Sequence, residues 1–369
     1  MKVLHIFNLI MPSGAETMWT AAASILKARG VETHVVATGE TLGPYADKMR
    51  EVGFVVHHVP HRRKSLFDFG YCRALYGLIK QNGCEAVQIH PEAWRLTNVV
   101  VARVAGVKSI TTTMHSIFVF GGFRFWRRVA ILWACRILGA KIVSIGDSVF
   151  QNEMRYHYTP CLIYNWVDVG RYMPLGVRDE VRRELGIVGN KKVLMVVGNC
   201  SKIKNHIFFI RVLSMLPPDF MAIHVGREDE SVYHERALAL ELGVSGRIIF
   251  LGARNDVSRL LEAADVFIMT SLLEGIPLSC LEAFVKGLPA VVADVPGLRD
   301  LSKHIPLCEK TVVDDERVFA DKIGEVSAWT KDELQRRKKA SQEAIKEKFD
   351  IKKGVNAYID MWEDSYEVR

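Results

Sequence analysis

Short apolar runs alternate with helical patterns along nearly all of the 369 residues, and this alternation restricts the chain to parallel sheets covered by helices on both faces. Parallel neighbours cannot be joined by a tight hairpin, so each strand needs a crossover, usually helical. In the first half the runs Val3–Ile6, Thr33–Ala37, Val55–His58, Ala86–Ile89, Ser109–Thr112 and Lys141–Ile145 read as strands. Ala15–Arg29, Phe67–Gln81 and Trp126–Leu138 read as helices between them. The alternation pauses around Tyr164-Asn-Trp-Val-Asp168, Pro174 and the charged Arg178–Glu184. It resumes with Val193–Gly198, Phe220–Val225, Ile248–Leu251, Val266–Thr270 and Ala290–Ala293.

A chain of this length is long for one core, so two α/β domains are expected, residues 1–170 and 171–349. A last helix occupies about 350–369, where Tyr358, Met361 and Trp362 recur at helical spacing and predict a buried face. Ligands of open α/β sheets bind outside the carboxyl ends of the strands, so chemistry is sought there.

With 49% hydrophobic and 25% charged residues the composition is that of a soluble globular protein, and no apolar run approaches the ~20 residues that span a bilayer. The opening Met1–Ile10 is interrupted by His5 and Asn8, which suits a buried first strand better than a signal peptide. Seven cysteines, at 72, 84, 135, 161, 200, 280 and 308, are odd in number, scattered and in no metal-ligand spacing. Reduced thiols in the cytoplasm are expected.

The densest chemical signal is Thr270–Gly297. It places Glu274 in a Gly/Pro loop and Glu282 in a helix that should begin near Leu278, behind Pro277, whose fixed φ suits a helix start. Such a start offers unpaired N–H groups and positive dipole to an anion. One glutamate before it and another about a turn inside can accept hydrogen bonds from two sets of hydroxyls on one ligand. A nucleotide sugar has that form. The plainer alternative is a solvated glutamate on a helix with an ordinary loop ahead.

The segment resembles the E-x₇-E signature of the family 4 glycosyltransferases, retaining enzymes with the GT-B fold. The resemblance implies two Rossmann-like domains facing across a cleft, the first for the acceptor and the second for the nucleotide sugar, with the C-terminal helix crossing back to the first. It implies that Glu274 touches donor-sugar hydroxyls, that Glu282 holds the ribose, and that Gly275, Ile276, Pro277 and Leu278 line the donor site. Gly14, after the first strand, matches a loop that approaches the diphosphate, with Ser13 where a second glycine is usual. Val197-Gly-Asn-Cys-Ser-Lys-Ile-Lys-Asn-His206 resembles the family's Gly-Arg…Lys motif. Lys204 matches the lysine, Asn199 stands in place of the arginine, and an amide brings no charge, so Lys202 is a candidate substitute. Phe250–Val257 looks like the nucleobase cradle and puts Ala253 and Arg254 beside the base. His115, at the end of a strand, matches the family's active-site histidine, and His90 is a weaker candidate. Asn165-Trp-Val-Asp168 matches Asn-Gly-Val-Asp with Trp166 in place of glycine.

By this resemblance the chain moves a sugar from a nucleotide diphosphate donor, a UDP-sugar being expected, to a hydroxyl of a saccharide or lipid-linked acceptor in cell-surface polysaccharide or glycolipid synthesis. Glu274, Lys204 and His115 are the expected catalytic groups. Neither cofactor nor metal is required, because the nucleotide sugar is a co-substrate and the catalytic need is electrostatic. Two rivals stay open: a non-catalytic nucleotide-sugar-binding subunit, which Asn199 keeps alive, and a nicotinamide-dependent oxidoreductase. The second lacks G-x-G-x-x-G after the first strand and an acidic residue after Val35-Val-Ala-Thr-Gly39.

The net charge of +7 is uneven, since Ala93–Gly146 contains no aspartate or glutamate. Within it Phe123, Arg124, Trp126, Arg127 and Arg128 interleave aromatics with cations, a composition suited to the anionic inner face of the cytoplasmic membrane. A core helix with merely solvated charges suits it equally. No nucleic-acid-binding module is recognisable, so nucleic acid is not an expected partner.

Overall fold

The computed structural model describes residues 1–61, 68–228 and 234–364. Phe67, expected to open a helix, and Tyr366, expected near the end of the last one, lie outside them. The chain divides into two compact units, Met1–Trp166 with Ile351 onward, and Val167–Asp350.

The first unit contains β1 (Lys2–Phe7), β2 (Glu32–Ala37), β3 (Val55–His58), β4 (Ala86–Ile89), β5 (Ser109–Met114), β6 (Ala140–Ser144) and β7 (Cys161–Leu162). They form one all-parallel sheet in the order β3-β2-β1-β4-β5-β6-β7. The second contains β8 (Lys192–Val197), β9 (Phe220–Val225), β10 (Ile248–Phe250), β11 (Val266–Met269), β12 (Ala290–Ala293) and β13 (Cys308–Thr311), also all parallel, in the order β10-β9-β8-β11-β12-β13. Both are doubly wound Rossmann-like sheets, as the alternation predicts. Their central strands are buried on both faces, which is why they read as continuous apolar runs. The edge strands β7 and β13 escaped the sequence analysis because one is two residues long and the other, Cys-Glu-Lys-Thr, is half polar. The expected helix Ala15–Arg29 is two helices, Gly14–Ala21 and Ala23–Ala28. The Thr20 hydroxyl bonds back to the Glu16 carbonyl just before the break, a contact that bends helices.

The last helix, Ile351–Glu363, completes the first unit rather than the second. β5 is fully buried despite the polar run Thr111-Thr-Thr113, and this helix satisfies part of it, with the Thr113 and Tyr358 hydroxyls 3.1 Å apart. Trp166 is buried among Trp19 and Tyr358, and Gly354 meets it: a Cβ there would run into the indole ring. Trp166 is thus accommodated by a glycine on the last helix.

The basic stretch divides on folding. In the helix Gly122–Ile137, Phe123 (81% exposed) and Trp126 (62%) face outward, and Arg124 and Arg127 are exposed with them. Arg128 is 7% exposed and does not belong to that surface. It pairs with Glu92 and with Glu153, the latter at 2.9 Å, and its guanidinium lies over the rings of Phe118, Phe120 and Tyr156. The expectation that Arg128 faces a membrane is therefore wrong. Its acidic partners lie outside the acid-free stretch and reach it only in the fold. No helix among the described residues is long and apolar enough to cross a membrane.

Candidate active site

In the second unit the sheet order reverses between β8 and β11, and the loops leaving these adjacent strands bring Lys204 and Glu274 together. Lys204 Nζ lies 2.6 Å from Glu274 Oε1, with both side chains partly accessible. The two loops are tied to each other by backbone and hydroxyl bonds. Leu272 N–H donates to the Ile203 carbonyl at 2.7 Å, and the Thr270 hydroxyl donates to the carbonyls of Lys204 and Asn205 at 3.2 and 3.0 Å. Lys204 and Glu274 were each expected at a donor site, but their contact was not legible from a separation of seventy residues.

The helix after the second loop runs Leu278–Lys286 and starts where the sequence puts it. Pro277 is its N-cap, with extended ψ and no capping side chain, and a proline has no hydroxyl or carboxylate to offer the first-turn N–H groups. Gly275, Ile276 and Pro277 are buried and Leu278 is half-buried, so the loop is held firmly behind that end. Gly297 makes this possible, because a Cβ there would collide with the Gly275 carbonyl oxygen. Glu282 lies just over one turn inside the helix. Burial pushes its carboxyl upward, against a Tyr172 hydroxyl that hydrogen-bonds the carboxylate and an Arg171 charge that favours it. Neither Tyr172 nor Arg171 was singled out in the sequence; both follow the Asn165–Asp168 segment, which places them near this helix.

The ends of β8, β9 and β10 are bound edge to edge. Gly198 N–H donates to the Val225 carbonyl and Gly226 N–H to the Gly252 carbonyl, each at 2.9 Å. A Cβ on Gly226 would strike the Gly198 carbonyl oxygen, so the two loops approach as only glycine allows. Asn199 accepts the Arg227 backbone N–H on its Oδ1 at 2.8 Å, and Cys200 N–H returns a bond to the Arg227 carbonyl. The asparagine is thus a brace between loops, and it holds the backbone of the exposed Arg227 beside its own position. Sequence reasoning missed Arg227, although an arginine directly after a strand-terminal glycine is a readable signal. Lys202 is exposed. Beyond β10, Ala253 and Arg254 are exposed, and Arg254 is held by Asp256 in a two-point ion pair at 2.8 and 2.7 Å.

In the first unit the reversal lies between β1 and β4. Gly14 is exposed at the start of the helix after β1, and the preceding Ser13 hydroxyl bonds to Glu16. His115 follows β5 and joins a chain of imidazoles: His115 Nε2 is 3.0 Å from His90 Nδ1, and His90 Nε2 is 3.2 Å from His5 Nδ1. Desolvation lowers His115 to about 4 and His5 to about 3, and holds His90 well below the usual histidine range, so all three are neutral at pH 7. His5 Nε2 makes no hydrogen bond among the described residues. Burying a bare lone pair is more common than burying an orphan N–H, so His5 Nδ1–H donates towards His115, whose Nε2 is an acceptor and Nδ1 a donor.

Two family models match the chain, Glycosyltransferase Family 4 over residues 12–171 and Glycosyl transferases group 1 over residues 177–347. The UDP-Gal:alpha-D-GlcNAc-diphosphoundecaprenol alpha-1,3-galactosyltransferase of Escherichia coli is 24% identical over 82% of this chain and 82% of its own length. The N,N'-diacetylbacillosaminyl-diphospho-undecaprenol alpha-1,3-N-acetylgalactosaminyltransferase of Campylobacter jejuni is 24% identical over 74% of this chain and 75% of its own. Among solved structures, Anabaena HepE in complex with UDP superposes with a TM-score of 0.83 at 19% identity, covering 99% of this chain and all of the other. With its two parallel-sheet domains and these matches, the chain belongs to the group 1, family 4 glycosyltransferases of GT-B fold.

Proposed function

We propose that the protein is a retaining, metal-independent hexosyltransferase that takes its sugar from a UDP-sugar and passes it to a hydroxyl of a lipid-linked saccharide at the inner face of the cytoplasmic membrane. The observation that carries the reading is the Lys204–Glu274 pair at the switch point, beside the uncapped start of Leu278–Lys286. A cation for diphosphate and a carboxylate for sugar hydroxyls are wanted one bond apart in a nucleotide sugar. The donor chemistry is supported by the UDP and UDP-glucose complexes of HepE, and the acceptor class by the diphosphoundecaprenol substrates named for the two bacterial relatives.

In this reading the domain of residues 1–170 binds acceptor and that of 171–349 binds donor. Glu274 accepts from sugar hydroxyls and Glu282 from the ribose. Lys204 and the Leu278 helix start face the diphosphate, with Asn199, Lys202 and Arg227 around it. Ala253 and Arg254 border the base, and His115 serves the reacting centre as a neutral hydrogen-bonding group. The bond from the anomeric carbon to the phosphate oxygen breaks, and the acceptor oxygen bonds that carbon on the same face. The acceptor proton passes to the leaving phosphate, giving glycoside and UDP. Charge grows on the diphosphate as this happens, and fixed positive groups aimed there lower the barrier without a metal.

A thermal-shift panel of nucleotides and nucleotide sugars tests the donor. A UDP-sugar should raise the melting temperature more than UDP and much more than GDP or ADP. The linkage of the product, read by NMR of its anomeric proton, tests retention. One observation favours a second reading: Asn199 brings no charge and its Oδ1 is occupied by Arg227. A non-catalytic donor-binding subunit would bind UDP-sugar yet never hydrolyse it, whereas a competent enzyme shows slow hydrolysis without acceptor.

A further inference from the structure

Cys200, His206 and His224 are all buried, and their ligating atoms lie within 4.8 Å of one another. Cys200 is in the loop after β8, His206 opens the helix His206–Met215 at the other end of that loop, and His224 is the next-to-last residue of β9. His224 Nε2 is 3.2 Å from His206 Nδ1 and 3.8 Å from Cys200 Sγ. On a tetrahedral zinc ion two nitrogens lie ~3.4 Å apart and a nitrogen and a sulfur ~3.6 Å apart. The two edges at His224 match these to within a few tenths of an ångström, and the third, Cys200 to His206, is no longer than 4.8 Å, so side-chain rotation has to close that edge.

We propose that Cys200, His206 and His224 bind one divalent ion of the zinc class, at a site separate from the donor site and underneath the loop that carries Lys202 and Lys204. One thiolate and two imidazoles select a borderline-soft ion over magnesium or calcium, which take oxygen ligands. Without an ion, Cys200 is a buried thiol with the two buried imidazoles beside it. Binding then breaks one S–H bond, forms one sulfur–metal bond and releases one proton to solvent. The thiolate and the adjacent, buried Glu235 carboxylate together offset the charge of a divalent ion, which a buried site requires. In the metal-free geometry His224 Nε2 sits 3.1 Å from the Gly198 carbonyl and donates its proton there. Ligation gives up that bond and moves the proton to Nδ1, which makes no hydrogen bond among the described residues. The tautomer of His224 therefore reports occupancy.

The full-length protein, stripped with a chelator and kept reduced, is titrated with zinc against a chromophoric chelator and separately with cobalt(II). About one ion per chain is expected, and cobalt should give a sulfur-to-metal charge-transfer band with the strong visible absorption of a tetrahedral site. Cys200→Ser should abolish that band and weaken zinc at least about tenfold, His206→Gln should weaken zinc as much while keeping the band, and Cys308→Ser should change neither. Proton–nitrogen spectra of labelled histidine in the unsubstituted protein should show one imidazole change from Nε2–H to Nδ1–H on adding zinc, and this decides the matter should Cys200→Ser fail to fold. Survival of the charge-transfer band in Cys200→Ser, an imidazole spectrum unchanged by saturating zinc, or no stoichiometric binding to the folded protein each overturns the proposal. None of these readouts depends on glycosyl transfer.

Discussion

Where the first sheet reverses, between β1 and β4, His5 on the one strand and His90 after the other belong to a neutral chain of imidazoles; where the second reverses, between β8 and β11, the loops carry a lysine and a carboxylate that are partly accessible. The winding is the same and the chemistry is opposite. The first unit buries Arg128 between Glu92 and Glu153, and the second buries its own pair, Lys286 with Glu262, but the second also presents Lys204 and Glu274 at the position where open α/β sheets bind ligands. Charge that stabilises the fold is thereby distinguished from charge offered to a substrate. That separation makes different demands on the two units, and each can be tested alone.

Acid should act on them unequally. His5, His57, His90 and His115 in the first unit, and His206 and His224 in the second, have folded pKa values below the histidine value that the unfolded chain recovers. Below pH ~6.5 the unfolded chain therefore binds protons that the folded chain refuses, so stability is intact above that pH and falls as pH drops towards 4. Each such histidine contributes at most about 1.4 kcal/mol per pH unit. Four against two predicts that the first unit opens first. Hydrogen exchange on the whole chain at pH 7.5 and pH 5 should show protection lost earlier in β1, β4 and β5 than in β8, β9 and β11; equal loss would mean that the imidazole chain is not held neutral.

Substitutions sharpen the contrast. Arg128→Ala leaves Glu153 buried without its cation and should destabilise the protein by about 3–5 kcal/mol, read by denaturant unfolding. Lys204→Ala should do the reverse, leaving the unfolding midpoint nearly unchanged while lowering kcat by about 10²–10³-fold, since it faces charge that grows in the transition state. A rise in KM with kcat unchanged would instead make Lys204 a ground-state anchor. Glu282→Ala should weaken UDP at least about tenfold, the size expected for a lost charge-assisted hydrogen bond of roughly 1.5–3 kcal/mol. Glu274→Ala should spare UDP and weaken only the sugar-bearing donor, and calorimetric titration with each ligand separates the two.

How much of this was legible beforehand depended on sequence distance. β3, β4, β9 and β12 lie where their apolar runs put them, and the helix after Pro277 starts at Leu278, because these are fixed by neighbours a few residues away. Lys204 and Glu274 were identifiable one at a time from their loops. What sequence did not show was assembly across the sheet: Arg128 meeting Glu92 and Glu153, Asn199 bracing Arg227, Trp166 filling the space left by Gly354, and Cys200 meeting His206 and His224. In each case the partner is set by which strands lie side by side, and no local period encodes that. Basic composition misled for the same reason, since an acid-free stretch of chain can be neutralised by acids that flank it in space.

The smallest expected effect concerns the outward face of Gly122–Ile137. Phe123, Trp126 and Ile137 are strongly exposed there and Trp133 is 40% exposed, spaced as one side of a helix, with Arg124 and Arg127 among them. An apolar stripe flanked by cations fits the headgroup region of an acidic bilayer, where each arginine adds on the order of 1 kcal/mol and salt weakens the attraction. Arg128 takes no part, so the informative variant is Arg124→Ala with Arg127→Ala, which removes surface charge and leaves the buried pair intact. In sedimentation with liposomes, binding should require acidic lipid, fall as salt rises, and fall roughly thirtyfold in the double variant, about 2 kcal/mol for two arginines. Transfer to a soluble acceptor analogue should be unchanged. Because Phe123 and Trp126 supply the apolar part, their replacement by serine should weaken binding at high salt as well as low, a response that charge removal cannot produce. Equal binding to neutral and acidic liposomes, or to neither, would return this helix to an ordinary solvated face and leave the first unit without a membrane role.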